Sequence, residues 1–414
     1  MRLLFLIHGY PPLLAGGHEI RCQRTVEGLR ARGHEVTVLT SRFPGAPRDD
    51  TSGVLWRLRS KFSEGPRAHP LRFVRVFRHN VRVFEETLRA AQPDIVCMWA
   101  LNACTVAFVE HVARRCPAPV VGFIGGAVQA KPRDRWLHYC QTPGKTRIRS
   151  LLKAPVVLLS KRFMPVRGEP VALQTATFLS KHLLNACRDR GMKVDHPIVT
   201  YAGVDPCFML ERPHEAAQGP LRFLFAARFD AEHDPLTCLD AAARLRDQGV
   251  GFHLTMAGAT PVVSAHERAV IDRAAALGPA VRVVLRVGSE DMPRLYAQHD
   301  VVVSACDKGW IGNTALEGLA SGCALIASGF EDVDGVLDEG ENSLLYPFGD
   351  AVGLAARMKQ LVNEPELRAR LQRAGRSLVE KRFTMERYLD ETEALLASVV
   401  ASAAGGQDSH ETIA

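Results

Sequence analysis

Gly16-Gly17 follows the apolar run Leu3–Ile7 and the turn residues His8-Gly9-Tyr10-Pro11-Pro12, and a helical pattern opens directly behind it. A glycine pair in that place lets backbone approach a ligand closely, and the helix N-terminus offers N–H groups that favour an anion such as phosphate. It equally suits a loop that merely needs positive φ. No G-x-G-x-x-G accompanies it, which argues against a nicotinamide dehydrogenase. A second stretch, Gly312-Asn313-Thr314-Ala315-Leu316-Glu317, opens another helix, which Gly322 stops before the apolar Ala324–Ala327. A carboxylate in the early turns of such a helix can accept two vicinal hydroxyls while the N–H groups take a diphosphate. It can also do no more than complement the helix dipole, and the local sequence leaves both open. The ten cysteines show no C-x-x-C pair and no His/Cys cluster at metal-ligand spacing. They read as reduced thiols, with no metal expected.

The elements that must position these residues alternate. The chain has 414 residues, beyond the ~250–300 at which a single core stops growing, so two domains are expected. Leu3–Ile7, the glycine loop, a helical pattern to Arg32, a stop at Gly33 and the β-branched Glu35–Thr40 form the opening of a parallel βαβ unit. Leu221–Ala226, a helix near Pro235–Gln248 and Phe252–Met256 repeat that order, followed by the apolar runs Val281–Leu285, Val301–Ser304 and Ala324–Ala327. Both halves therefore read as α/β with mainly parallel sheets. Prolines and glycines interrupt the pattern across 203–219. The expected division is a first domain over 1–205 and a second over 206–383. A C-terminal helix over 384–404 returns to the first domain, and 405–414 form a flexible tail, the small polar residues from Ala401 fraying. No apolar run approaches the ~18 residues of a spanning helix, and the first is too short for a signal peptide, so a cytoplasmic protein is expected.

The net charge of +7 is unevenly placed: 121–170 hold ten Lys/Arg against two acids, and 54–89 hold nine against three. The remainder is net acidic. Arg72, Arg75, Arg78 and Arg82 recur at helical spacing beside Phe73, Val76, Phe77, Val83 and Phe84, and Lys145–Lys153 mixes cations with apolar residues. A basic amphipathic element can rest on an anionic membrane surface; a solvated arginine face over an ordinary core helix, or a site for an anionic soluble acceptor, has the same pattern. No nucleic-acid-binding module accompanies the charge, so no nucleic-acid partner is expected.

Five pieces in order resemble the retaining glycosyltransferases of family 4, along nearly the whole chain. They are Tyr10-Pro11-Pro12 with Gly16-Gly17; Arg32-Gly33-His34-Glu35-Val36; Ala202-Gly203-Val204-Asp205-Pro206-Cys207-Phe208; Ala227-Arg228-Phe229; and Asp338-Glu339-Gly340-Glu341-Asn342-Ser343-Leu344-Leu345 with Gly349-Asp350. The resemblance implies the GT-B fold, two Rossmann-like domains, with the acceptor on the first and a nucleotide-sugar donor on the second. It implies that Arg228 binds the donor diphosphate and stabilises the leaving charge. Glu317 would hold the ribose, Gly312, Asn313 and Thr314 would contact phosphate, and Gly16 and Gly17 would face the same diphosphate. Arg228 and Glu317 thus stand as the catalytic pair, no metal or other cofactor is expected, and the acceptor is a hydroxyl, in many relatives lipid-linked.

The chain departs from that pattern where the transferred sugar would lie. The first acid of the family's E-x7-E falls on Gly309 and its first-domain histidine on Gly125. Its phosphate-binding lysine falls on His233, which the resemblance still makes a donor-binding residue, since a protonated imidazole can donate to phosphate. The family's Gly-Gly-x-x-Glu loop after Ile326-Ala327-Ser328 is reduced to Gly329-Phe330-Glu331-Asp332. Three readings follow: a donor sugar with other needs, substitution by Asp307, Lys308 or Glu331 from shifted loops, or a relative that only binds. The expected activity is retaining transfer of a sugar from a nucleotide-diphosphate donor to a hydroxyl. A binding-only pseudoenzyme and a sugar-nucleotide epimerase of the same fold are the rivals.

Overall fold

In this computed structural model the described residues are 1–12, 16–43, 52–60, 70–132, 135–142, 168–209, 219–258, 264–307, 309–330 and 334–408, with short pieces between 151 and 164. They form two compact units. The first comprises 1–179, 183–200 and 389–414, and the second 180–182 and 201–388.

The first unit is built on strands β1 (Arg2–Leu6), β2 (Glu35–Ser41), β3 (Val54–Leu58), β4 (Ile95–Met98), β5 (Val120–Ile124), β6 (Ala172–Phe178) and β7 (Lys193–Val199). They lie in one sheet in the order β3-β2-β1-β4-β5-β6-β7, every pairing parallel. Helices α1 (Gly17–Ala31), α2 (Pro70–Ala91), α3 (Val106–Arg115), α4 (Arg135–Gln141) and α5 (Lys181–Asp189) connect them. Strands covered on both faces need continuous apolar runs, which is why Leu3, Leu4, Phe5 and Leu6 are all buried. The edge strand β7 carries Pro197 and is largely accessible, as an edge tolerates.

The second unit holds β8 (Leu221–Ala226), β9 (Phe252–Gly258), β10 (Val281–Leu285), β11 (Val301–Ser304), β12 (Ala324–Ser328) and β13 (Leu344–Tyr346), again all parallel, in the order β10-β9-β8-β11-β12-β13. Its helices are α6 (Pro235–Asp247), α7 (Ala265–Ala275), α8 (Met292–Ala297), α9 (Asn313–Ala320), α10 (Ala351–Asn363) and α11 (Pro365–Arg382). Phe223, Phe225, Leu254, Met256, Val301, Val303 and Ile326 fill one face of the sheet. Gly318 lets α9 close on the other, since a Cβ there would stand 2.9 Å from Val302.

In both sheets the order in which strands are added reverses once, between β1 and β4 and between β8 and β11. In open parallel sheets, ligands bind at the carboxyl ends of the strands at that reversal. Gly16-Gly17 follows β1, Arg228 follows β8, and Gly312 follows β11, so the topology delivers the residues singled out from sequence to those two places.

One expectation needs correction. Helix α12 runs from Met385 to Asp408, through the segment from Ala401 expected to fray; Ala401, Ala403 and Ala404 are strong helix formers and nothing before Gly405 breaks them. From Leu389 onward α12 belongs to the first unit, where Leu389 fits the space left by Gly28 and Glu393 accepts from Arg32 at 2.8 Å, with His34 Nε2 also 2.8 Å away. Helix α2 bears on the alternatives left open for the basic segments. Arg72, Arg75, Arg78 and Arg82 do line an exposed face, but Phe73, Val76, Phe77, Val83 and Phe84 are buried, Phe84 edge-on to Phe108 at 6.0 Å. That apolar face is spent on the unit's own core and cannot insert into a bilayer. The basic run 145–149, with Lys161, Arg162 and Arg167, lies outside the described residues.

Candidate functional site

The loop joining β8 to α6 carries Arg228 and His233. The fully buried Phe229 anchors its start, and Asp234, at φ 44, caps α6 by accepting the Thr237 N–H at 3.4 Å. Between these fixed points Arg228 is half exposed, and it is not a free cation. Its Nε donates to Asp230 at 2.6 Å and its Nη2 to Glu232 at 2.9 Å, while His233 Nδ1 lies 2.7 Å from Asp230. Burial would raise the Asp230 carboxyl, but hydrogen bonds from His233 and Arg228 outweigh it and hold that group below the ordinary carboxylate range. Two carboxylates thus share the one guanidinium, and any anion would have to compete with them for it. The sequence showed no cluster at metal-ligand spacing, yet the fold makes one: ligand atoms of Asp230, Glu232 and His233 all lie within 4.8 Å of one another. The spacing of i, i+2 and i+3 converges because the loop is curled rather than extended.

Beside this loop α9 begins. Gly312 is its N-cap and supplies no side-chain cap. Thr314 Oγ1 donates to the carbonyl of Ala226, the last residue of β8, at 2.6 Å. That bond ties the helix start to the strand that launches Arg228, so an anion-favouring helix N-terminus and a guanidinium share one end of the sheet. Asn313, the first residue of α9, is exposed. Glu317, one turn further along, is only partly accessible; burial pushes its carboxyl up to about 7, the Tyr296 phenol pulls it down, and the charge of Asp205 pushes it up again. Sequence reasoning missed Tyr296 altogether. Asp205 was legible only as part of the junction motif, whereas the fold brings it to Glu317.

Of the expected sugar contacts, Asp307 is exposed on the loop between β11 and α9, and Lys308 lies outside the described residues, as does Glu331. Gly309 is buried at φ +74, a conformation that favours glycine. A Cβ there would meet the imidazole of His182 at 2.2 Å. Ser180 Oγ donates to the Gly309 carbonyl at 2.7 Å.

In the first unit Gly16 is the N-cap of α1 at φ −93, and its N–H donates to Glu19 at 3.1 Å. Gly17 is the first helical residue and is exposed. Neither has positive φ, so that explanation of the pair falls away. At Gly125 a Cβ would stand 2.4 Å from His18 Nδ1. The His18 ring lies 5.1 Å from Trp99, its Nδ1 accepts from Arg21 at 3.0 Å, and burial, then the charges of Arg21 and His8, hold it well below the ordinary imidazole range.

Comparison with known proteins shows what each half of the chain is similar to. Residues 210–378 match the model of glycosyl transferases group 1, and residues 16–164 match a glycosyl transferase 4-like domain. The lipopolysaccharide core biosynthesis glycosyltransferase LpsE of Rhizobium meliloti is 31% identical over 163 residues, which cover 39% of this chain and 45% of that protein. The matches thus span less than half the length of the curated relatives. Among solved structures, a sucrose-phosphate synthase from Thermosynechococcus elongatus superposes with a TM-score of 0.70 at 17% identity, over 97% of this chain and 99% of that one. HepE from Anabaena, solved with UDP-glucose, gives 0.68 at 14% identity over 96% and 99%. At such identities the likeness is one of fold, and the fold is GT-B.

Proposed function

From a chain that carries a glycosyl transferase 4-like domain followed by a group 1 glycosyl transferase domain, we propose a glycosyltransferase that moves a sugar from a nucleotide-diphosphate donor to a hydroxyl acceptor with retention of configuration. The observation that carries it is the Thr314–Ala226 hydrogen bond, which sets Arg228 and the start of α9 together at the sheet reversal of the second unit. In this reading the diphosphate takes Arg228 over from Asp230 and Glu232, and Glu317 receives the ribose hydroxyls. The bond from the sugar's C1 to the phosphate oxygen breaks and its electrons leave with the nucleoside diphosphate. Arg228 and the α9 N–H groups stabilise that charge. The acceptor hydroxyl forms the new bond on the face just vacated and gives its proton to the departing phosphate, the strongest base the step generates. Positioning and charge stabilisation carry such a reaction without a covalent intermediate. The match to LpsE supports a glycan or lipopolysaccharide acceptor, and the exposed arginines of α2 support electrostatic contact with an anionic membrane, each cation near such a surface contributing ~1 kcal/mol.

A thermal-shift screen over nucleoside diphosphates and their sugars identifies the donor, since a native-state ligand raises the midpoint by mass action. Arg228→Ala and Glu317→Ala are each expected to weaken nucleoside diphosphate binding about ten- to hundredfold, the loss of ~1.5–3 kcal/mol for a hydrogen bond to a charged group. Unchanged affinity in both by calorimetry removes the site. Proton NMR of the product's anomeric coupling tests retention, and binding without product marks a pseudoenzyme. With Arg228 handling the charge, turnover should survive EDTA. Its loss would instead point to a cation on Asp230, Glu232 and His233. Sedimentation with anionic and neutral vesicles at two salt concentrations tests the membrane contact.

A further inference from the structure

Residues 180–182 leave the first unit's stretch of chain and pack in the second. Three bonds hold that short segment and its surroundings there. Ser180 Oγ donates to the Gly309 carbonyl at 2.7 Å, and the Lys181 N–H donates to Asp334 at 3.0 Å. Tyr201 donates to the same Asp334 oxygen at 2.9 Å. The consequence is a fixed backbone under His182, whose side chain is exposed and lies over Gly309, with ring atoms 2.2–2.7 Å from where a Cβ at 309 would stand. Gly309 belongs to the loop that leads, three residues later, into Gly312 and the start of α9. An imidazole from a distant part of the chain therefore fills the space that the loop's own side chain would take, at the approach to the proposed phosphate site.

We infer that His182 contacts the sugar of the nucleotide-sugar donor and so sets which sugar is accepted. This rests on the donor reading above. A carboxylate projecting from position 309 only accepts hydrogen bonds from a hydroxyl and repels an anionic group. An imidazole both donates and accepts, and it tolerates a carboxylate on the sugar. The relocation also explains why residue 309 has no side chain: with the ring in place only glycine fits, and at φ +74 only glycine is unstrained.

The test is isothermal calorimetry of wild type, His182→Ala and His182→Gln with UDP against UDP-glucose, GDP against GDP-mannose and ADP against ADP-glucose. For the pair that binds, His182→Ala should leave the nucleoside diphosphate affinity within twofold and weaken the diphosphosugar about five- to tenfold, the range of one uncharged hydrogen bond. His182→Gln, which keeps a donor and an acceptor, should recover part of that loss. An unchanged diphosphosugar affinity overturns the inference. So does an equal loss for both ligands, which would make His182 a prop for the 307–312 loop. If none of the pairs binds wild type while its thermal transition is intact, the donor reading itself fails and takes His182 with it.

Discussion

Gly125 in the first unit and Gly309 in the second both stand where the resemblance implied a polar side chain, and an imidazole from elsewhere covers each. The two imidazoles live in opposite surroundings. His18 is packed against Trp99, receives the Arg21 guanidinium on Nδ1 and is held neutral by burial. His182 is exposed, on a segment fastened through its neighbours. The backbones differ as well, since Gly309 is left-handed and Gly125 is not. A missing side chain can thus be replaced by a fixed wall or by an accessible group, and the word "lost" covers both.

The largest expected effect is on the wall. Gly125→His would force its Cβ into a ring that cannot rotate away, an overpacking cost of about 3 kcal/mol. Calorimetric unfolding should show a transition lowered by several degrees, and Gly125→His with His18→Gly should restore most of it. An unshifted single variant would mean the His18 ring is not fixed, and the contrast would collapse. Gly309→Glu should cost less, about 1–2 kcal/mol, chiefly for a left-handed backbone, because the exposed His182 can swing aside. Here His182→Ala in the same chain removes the collision but not the backbone cost, so the double variant should stay destabilised. Full recovery would show that φ is not the obstacle.

Smaller is the effect at the acid the second unit keeps. The folded Glu317 carboxyl titrates at about 7 against an ordinary 4.5. Between those values the folded chain holds a proton that the unfolded chain has released. Its stability contribution is full below about pH 4.5, declines as pH rises towards 7 and is flat above. Glu317→Gln has no such proton, so its melting temperature relative to wild type should climb over that window. A constant difference would place Glu317 in ordinary solvent.

The strands that fill both cores were legible because parallel strands covered on two faces must be short unbroken apolar runs between glycines and helix signals: Leu221–Ala226 and Val301–Ser304 end where the sequence said. The edge strand β7 was not, since Lys193–Val199 mixes charge, proline and apolar residues without a period. At the candidate site, local order singled out the Gly312–Glu317 stretch as a helix start that could take a diphosphate, whereas Arg228 and the roles of Thr314 and Glu317 came only from the resemblance. The Asp230 and Glu232 carboxylates that neutralise Arg228 were in plain view two and four residues on, but only the curl of the loop turns them inward. His18 over Gly125 and His182 over Gly309 join residues more than a hundred positions apart, and no local pattern announces a contact made by topology alone.

Helix α12 sets an order of events at the ribosome. Domains fold as units as they emerge, the N-terminal one ordinarily first. Here the first unit is missing Leu389, which fills the space beside Gly28, and Glu393, which holds Arg32 and His34, until those C-terminal residues are made. The unit whose synthesis starts first is therefore completed last, after the whole second sheet has been made, and a nascent chain stalled before residue 389 presents the α1 surface around Gly28 and Arg32 without these partners.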